Sequence, residues 1–148
     1  CIRDSFKSIH LSKNAQEFIS ILQKKGILVG LVSGGFTPIV ERLAKSLGIS
    51  YFSANQLEVK DGFLTGKSVG EIVTGQVKQA TLEKWRMELE IPKERTIAIG
   101  DGANDLLMLK SAGISIAFCA KEVVKTEIAC HIDTRDFLEV LPLIDFLE

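Results

Sequence analysis

The sequence lacks the features that mark membrane proteins and nucleic-acid-binding proteins. None of its apolar runs reaches the roughly 18 residues of a membrane span, because Lys and Glu interrupt each of them. Its 18 basic and 19 acidic residues give a net charge of −1 and form no block of one sign. The chain therefore offers no electrostatic surface of the kind that binds nucleic acid or an anionic membrane. We expect a cytoplasmic protein whose partners include neither a membrane nor a nucleic acid.

Cysteine is also scarce, since the sequence contains only Cys1, Cys119 and Cys130. An odd number of cysteines without metal-ligand spacing predicts neither a disulfide framework nor a zinc site. We interpret all three as reduced, buried thiols of a cytosolic protein. Stability must then come from a hydrophobic core, and 148 residues of which 46% are apolar are enough to form one.

Short apolar runs alternate with amphipathic helical segments along most of the chain. This alternation is typical of a parallel sheet with helices on both faces. The predicted strands are residues 27–32, 96–99, 114–118 and 130–133. The predicted helices are residues 12–25, 37–47, 76–90, 106–112, 121–129 and 136–147. The first strand is almost continuously apolar, which favours burial on both faces.

Residues 51–73 interrupt the alternation of strands and helices. Here Lys60, Asp61 and Gly62 separate two apolar runs, which is the pattern of a β-hairpin with a tight turn. We therefore predict an α/β fold with a β-hairpin insertion at about residues 51–73.

A Ser-Gly-Gly turn follows the first predicted strand and precedes a helix. Glycines let backbone N–H groups approach an anion, and the N-terminus of a helix favours negative charge. The hydroxyl of Ser33 could donate to a phosphate oxygen beside Gly34. A tight strand-to-helix turn without any ligand explains the same residues equally well.

The loop at residues 100–105, Gly-Asp-Gly-Ala-Asn-Asp, carries a stronger signal. In open α/β sheets, ligands bind beyond the carboxyl ends of the strands, and this loop follows a predicted strand. Asp101 and Asp105 supply the hard oxygen ligands that a divalent cation prefers, and Asn104 adds a neutral polar group. Helix capping explains one of these residues but not all three. A dinucleotide fingerprint is excluded because Asp105 stands where the third glycine would be.

These segments resemble motifs of the haloacid dehalogenase superfamily. The resemblance rests on the Ser-Gly-Gly-Phe segment at 33–36, on Lys78 at the start of a helix, and on the loop at 100–105. Within the superfamily, the chain is most similar to the branch that hydrolyses phosphoserine. Further matching stretches are residues 54–55, 60–62, 64–66 and 116–121. The resemblance extends over nearly the whole chain, from about residue 11 to residue 147.

The resemblance implies a function and a role for each motif residue. The expected reaction is Mg²⁺-dependent hydrolysis of a small phosphomonoester, on a Rossmann-like, three-layer α/β/α parallel sheet. Ser33 and Gly34 would bind the phosphoryl oxygens, and Asn104 would contact the phosphate. Lys78 would neutralise the phosphate and orient the nucleophile. Asp101 would ligate Mg²⁺, while Asp105 would support the metal site and Lys78.

The sequence lacks the nucleophile that the resemblance requires. Members of the superfamily attack phosphate with an aspartate in an Asp-x-Asp motif on their first strand, forming an aspartyl-phosphate. No two aspartates of this sequence are two residues apart. We therefore expect residues 1–148 to be the C-terminal part of a hydrolase core domain. The missing first strand would lie centrally, between the strands that lead to Ser33 and Gly100, and the isolated chain would be inactive.

Three interpretations follow. In the first, the chain is a portion of an ordinary phosphoserine-hydrolysing enzyme whose nucleophile and substrate-selecting cap lie in a missing N-terminal segment. In the second, it is a non-catalytic module that binds phosphate or a partner, or one half of a two-chain phosphatase. In the third, the enzyme acts on another small phosphomonoester, because fold alone does not set the substrate.

Overall fold

The structure is a computed structural model that describes residues 10–144, and these residues divide into two compact units. The first unit contains residues 19–73, and the second contains residues 12–18 together with residues from 74 onward. Helix α1 (Ala15–Lys24) contributes its first turn to the second unit and its remainder to the first. None of the helices within residues 10–144 is long and apolar enough to cross a lipid bilayer.

The first unit is built on a three-stranded sheet with one helix in the crossover. Its elements are β1 (Gly30–Phe36), α2 (Thr37–Ser46), β2 (Tyr51–Lys60) and β3 (Phe63–Val69). Strand β2 lies in the centre, parallel to β1 and antiparallel to β3. The amphipathic helix α2 buries Val40 and Ala44, the residues that its apolar periodicity predicts. Helix α2 begins at Thr37, the first residue of the predicted helix, and Pro38 is its second residue.

The predicted hairpin is present and joins β2 to β3. Asp61 and Gly62 form its two-residue turn with φ angles of 51° and 82°. Positive φ at both central residues defines the turn whose twist matches that of antiparallel strands. Because β2 also pairs with β1, the hairpin extends the sheet of the first unit.

Strand β1 differs from its prediction in both position and burial. It begins at Gly30, which pairs with Tyr51, the first residue of β2. It then continues through the Ser-Gly-Gly segment to Phe36. The prediction that this strand is buried on both faces was wrong for the described part of the chain, where every residue of β1 is exposed or half-buried. An apolar run indicates a strand, but the neighbours that cover it decide its burial. Strand β1 is at an edge of its three-stranded sheet.

The second unit contains a parallel sheet with strand order β4-β5-β6. Its strands are β4 (Ile97–Gly100), β5 (Ile114–Phe118) and β6 (His131–Ile132). Its helices are α3 (Gly75–Glu88), α4 (Leu106–Ser111), α5 (Glu122–Lys125) and α6 (Leu141–Ile144), with 3₁₀ turns at Lys93–Arg95, Ala103–Asp105 and Phe137–Val140. Parallel strands joined by helices are the arrangement that the alternating pattern predicts.

The core of the second unit packs helices α4 and α5 against strands β4 and β5. Its centre contains fully buried Leu109 and Val124, beside the small residues Ala98 and Ala117. A second apolar contact stacks Phe137 on Phe118, with ring centroids 4.2 Å apart, and on Phe18 at 5.5 Å. These contacts fix β4 and β5, and thereby the loop that follows β4.

Three elements of the second unit differ clearly in extent or in helix type from their predictions. The helix expected at 121–129 is limited to α5, where β-branched Val123, Val124 and Thr126 disfavour a longer helix. The strand expected at 130–133 contains only His131 and Ile132. The helix expected at 136–147 begins as a 3₁₀ turn, because Pro142 cannot donate a backbone bond to the preceding turn. Residues 145–147 of that prediction lie outside the described residues.

Both described cysteines carry free thiols. Cys119 and Cys130 are half-buried, so the prediction of full burial was wrong for these two, whereas Cys1 lies outside the described residues. The Cys119 thiol lies 3.5 Å from the carbonyl oxygen of Asp133, within hydrogen-bonding range of sulfur.

Candidate functional site

The carboxylate of Asp105 organises the loop that follows β4. Its Oδ1 atom accepts a hydrogen bond from Nζ of Lys78 at 2.6 Å. Its Oδ2 atom accepts from the backbone N–H groups of Asp101 and Gly102, each at 3.1 Å. The two carboxylate oxygens therefore connect helix α3, which carries Lys78, to the turn that carries Asp101.

Burial and bonding have opposite effects on the pKa of Asp105. Only 7% of Lys78 and 5% of Asp105 are exposed, and burial by itself would raise the pKa of the Asp105 carboxyl. The hydrogen bond and charge of Lys78 and the N–H groups of Gly102 and Asp101 outweigh that effect, so the pKa lies below its ordinary value. Asp105 is consequently an anion at neutral pH, held against a buried lysine.

Helix α3 begins in a way that fixes the position of Lys78. The Thr74 side chain caps the helix by accepting a hydrogen bond from the N–H group of Val77 at 3.3 Å. A Cβ atom added to Gly75, the first helical residue, would lie 3.0 Å from the carbonyl oxygen of Asn104. The absence of a side chain at Gly75 lets the start of the helix approach the loop closely, and Lys78 follows one turn later.

The glycine at position 100 makes room for the Asp105 side chain. A Cβ atom at Gly100 would lie 2.6 Å from Cβ and 2.8 Å from Cγ of Asp105, closer than non-bonded carbon atoms approach. No role was predicted for Gly100 from the sequence. The position of this glycine just before the aspartates was the only indication in the sequence, because its close approach to the Asp105 side chain exists only in the folded turn.

Asp101 and Asn104 are exposed at the same loop. The carbonyl oxygen of Asp101 accepts from the N–H group of Lys121 at 3.0 Å, which ties the loop to the start of α5. No hydrogen bond or ion pair within residues 10–144 engages the Asp101 carboxylate. This carboxylate is therefore free to bind a cation, whereas both oxygens of Asp105 already have partners.

The described residues fit a divalent cation only in part. Exposed carboxylate and amide oxygens are hard ligands of the kind that Mg²⁺ prefers. Over residues 10–144, however, no group of three or more His, Cys, Asp or Glu side chains could hold a metal ion. Asp101 is the one acidic ligand that this loop can offer, and further ligands are required to complete a site.

The Ser33 turn lies in the first unit and is held by side chains. Oγ of Ser33 accepts a hydrogen bond from the N–H group of Gly35 at 3.0 Å. The carbonyl oxygen of Gly34 accepts from Nδ2 of Asn55 at 2.8 Å. Ser33 is half-buried and Gly34 is exposed, so a small anion could reach both residues.

Asn55 lies within one of the stretches that carry the family resemblance, but no role was predicted for it. Its side chain binds the Ser33 turn, and its Oδ1 atom accepts from the N–H group of Val73 at 2.7 Å. Asparagine is depleted in β-strands, so its position inside β2 was the signal in the sequence that could have indicated a role. The structure thus places Ser33 and Gly34 with Asn55 in the first unit, and in the second unit it brings Lys78 of helix α3 to the loop that carries Asp101, Asn104 and Asp105.

The chain is similar to known proteins in sequence and in fold. The sequence profile of the haloacid dehalogenase-like hydrolases matches residues 2–110. A phosphoserine phosphatase of Streptococcus thermophilus is 51% identical over 140 residues, covering 95% of this chain and 65% of the relative. A phosphoserine phosphatase of Methanocaldococcus jannaschii is 42% identical over 143 residues, covering 97% of this chain and 68% of the relative. The chain thus spans about two thirds of the length of these curated relatives.

Solved structures match the fold closely. A substrate-bound phosphoserine phosphatase superposes with a TM-score of 0.91 at 42% identity, covering 97% of this chain and 68% of that one. A probable phosphoserine phosphatase from Vibrio cholerae gives a TM-score of 0.92 at 30% identity, covering 98% and 45%. These structures confirm the predicted α/β fold with parallel strands and a Rossmann-like architecture.

Proposed function

Because the chain belongs to the haloacid dehalogenase-like hydrolases, we propose that it supplies the phosphate- and metal-binding residues of a Mg²⁺-dependent phosphatase that converts phosphoserine to serine and phosphate. The nucleophile of the proposed reaction is an aspartate outside this sequence, which forms an aspartyl-phosphate. The likeness to phosphoserine phosphatases supports the choice of substrate.

The buried pair of Lys78 and Asp105 is the observation that carries this proposal. Phosphoryl transfer needs little covalent chemistry from the protein beyond positioning and charge neutralisation. A lysine that is 7% exposed and bonded at 2.6 Å to a carboxylate is held in one place. Placing an ammonium group at a fixed point in a desolvated environment has little structural benefit, since buried ion pairs stabilise folds weakly. A fixed cation is, however, what a phosphoryl group requires.

We assign the remaining roles residue by residue. The Ser33 hydroxyl and the backbone at Gly34 bind phosphoryl oxygens, and Asn104 contacts the phosphate through its exposed amide. Lys78 neutralises the phosphate charge and orients the nucleophile. Asp105 positions Lys78 and the turn of Asp101 through its two oxygens, and it contacts no ligand directly.

Asp101 is the proposed Mg²⁺ ligand of this chain. Bound Mg²⁺ would neutralise charge that develops on the phosphoryl oxygens. Because residues 10–144 contain no group of three acidic or other metal-binding side chains, we expect the chain alone to bind Mg²⁺ weakly. Titration calorimetry of the 148-residue chain with MgCl₂ measures this, and tight binding by the isolated chain would contradict it.

A non-catalytic role is the second candidate, and the missing Asp-x-Asp pair favours it. In that case the chain binds phosphate or a partner protein, or it forms one half of a two-chain phosphatase. Another small phosphomonoester would serve as substrate if the substrate-selecting residues of the complete enzyme differ from those of its relatives. A cytoplasmic location stays a prediction from composition and cysteine usage.

Phosphate release from L-phosphoserine with Mg²⁺ tests the proposal. The 148-residue chain is assayed alone and together with an N-terminal segment of the Streptococcus thermophilus relative. Lys78→Met is the negative control. We expect no release by the chain alone, release by the mixture, and no release by a mixture containing Lys78→Met. A mixture that releases no phosphate would support the non-catalytic role. Phosphate release by the chain alone would refute the proposal that the nucleophile lies in another segment.

A further inference from the structure

The peptide group between Gly34 and Gly35 is held at both of its polar ends. Its carbonyl oxygen accepts from Nδ2 of Asn55 at 2.8 Å, and its N–H group donates to Oγ of Ser33 at 3.0 Å. In a planar trans peptide the C=O and N–H bonds point in opposite directions, and residues 10–144 contain no cis peptide. The bond at the oxygen therefore fixes the direction of the N–H group that holds Ser33.

The amide of Asn55 has only one orientation that satisfies its neighbours. Its Oδ1 atom accepts from the N–H group of Val73 at 2.7 Å, and a backbone N–H group can only donate. The NH₂ group must consequently face the carbonyl oxygen of Gly34, which can only accept. The backbone of Asn55 is fixed as well, because its carbonyl oxygen accepts from Oγ1 of Thr37 at 3.0 Å.

The geometry leaves the proton of Ser33 available. A serine hydroxyl donates once and accepts at its two lone pairs. Since Oγ accepts from Gly35, one lone pair is occupied on the side of the peptide, and the O–H bond must point elsewhere. An anion beside the turn can accept a hydrogen bond from this O–H group without displacing a bond that the hydroxyl donates within residues 10–144.

We propose that Asn55 is a positioning residue that orients the Ser33 hydroxyl toward an oxyanion by way of the Gly34–Gly35 peptide. Asn55 acts through Ser33 and does not touch the ligand. The proposal rests on the proposed function only in identifying that oxyanion as a phosphoryl group; the orientation of the turn stands on its own contacts.

Hydrogen exchange of single amides tests the orientation without any activity. The full 148-residue chain is compared with Asn55→Ala, Asn55→Asp and a matched control, Gln23→Ala. Gln23 also donates its side-chain amide to backbone carbonyls of the first unit, those of Leu47 and Gly48. We expect Asn55→Asp to speed exchange of the Gly35 amide roughly tenfold, the worth of one hydrogen bond, while the Val73 amide keeps its acceptor.

Asn55→Ala should speed exchange at both the Gly35 and Val73 amides, whereas Gln23→Ala should change neither. Unchanged exchange of the Gly35 amide in both Asn55 variants would overturn the proposal. Equal acceleration of the Gly35 amide by Gln23→Ala would also overturn it, because the effect would then be general loosening of the unit.

A double-mutant cycle in the complemented phosphatase assay supplies the functional test. If Asn55 acts through the hydroxyl, Asn55→Ala lowers kcat/KM at least about tenfold on its own and has no further effect once Ser33→Ala is present. If the losses in kcat/KM of the two single variants multiply in the double variant, Asn55 does not act through Ser33. If the unmutated mixture releases no phosphate, this result counts against the proposed function. The hydrogen-exchange result by itself then decides whether Asn55 orients the turn.

Discussion

Nζ of Lys78 lies 2.6 Å from Oδ1 of Asp105, although 26 residues separate the two in the sequence. Both side chains are buried, and the second oxygen of Asp105 holds the N–H groups of Asp101 and Gly102. One carboxylate thereby fixes both a cation and the turn that presents Asp101. The Lys78–Asp105 pair therefore contributes both to stability and to the proposed chemistry, and substitutions can separate these two contributions.

Asp105→Asn should strongly destabilise the protein. The amide keeps the shape and one acceptor of the carboxylate, but it leaves the Lys78 cation buried without a counter-ion. Removing one partner of a buried ion pair costs about 3–5 kcal/mol, which urea unfolding followed by circular dichroism measures. The matched control is Asp133→Asn, which removes one of the two acidic partners of Lys125, the other being Glu122, and should hardly shift the urea midpoint. Equal shifts for both variants would contradict the prediction.

The stability that Asp105 contributes should disappear in acid. Its pKa in the folded protein lies below the ordinary value, which is about 3.9 for an unfolded aspartate. A lowered pKa means that the contribution is fully present above about pH 4 and is lost as pH falls through the folded-state pKa. The difference in unfolding free energy between the wild type and Asp105→Asn should therefore shrink below about pH 4. A difference that stays constant from neutral pH down to pH 2 would be incompatible with this linkage.

Alanine at Gly100 should be far more disruptive than alanine at Gly102. The new Cβ at position 100 would lie 2.6 Å from Cβ of Asp105, an atom that cannot move without the backbone. At position 102 it would lie 2.7 Å from Oδ1 of Asn104, the end of an exposed side chain that can rotate away. We expect Gly100→Ala to cost about 1–3 kcal/mol and Gly102→Ala clearly less. Thermal melting of the two variants gives the comparison, and the reverse order would refute it.

Removing both charges should separate stability from activity. Lys78→Met combined with Asp105→Asn leaves no unpaired charge in the interior and keeps an acceptor for the N–H groups of the loop. The double variant should be more stable than Asp105→Asn alone, because buried pairs replaced at both ends are often tolerated. In the complemented assay it should nevertheless release no phosphate from phosphoserine. Near-normal release would show that the Lys78 charge has no part in the reaction.

The elements of the fold were largely predictable because they depend on local chemistry. The apolar period of α2 predicted the face that buries Val40 and Ala44, since side chains three and four residues apart share a face. The hairpin was predictable from Asp61 and Gly62, because these residues tolerate the positive φ angles of its turn. Burial was not predictable in the same way: the apolar run of β1 indicated a strand, but its exposure depends on which strands cover it.

The sequence by itself determined the alternation of strands and helices, the tight turn of the hairpin, and the kinds of residue that stand at the carboxyl ends of β1 and β4. Tertiary structure alone decided how those residues are used. Asp105 was expected to support both the metal site and Lys78; in the folded protein its two oxygens bind Lys78 and two backbone N–H groups, and Asp101 is left as the exposed carboxylate of that loop. Asn55 holds Gly34, 21 residues away. Such bonds depend on distances that exist only once strands and helices have packed, and residue order along the chain does not specify them.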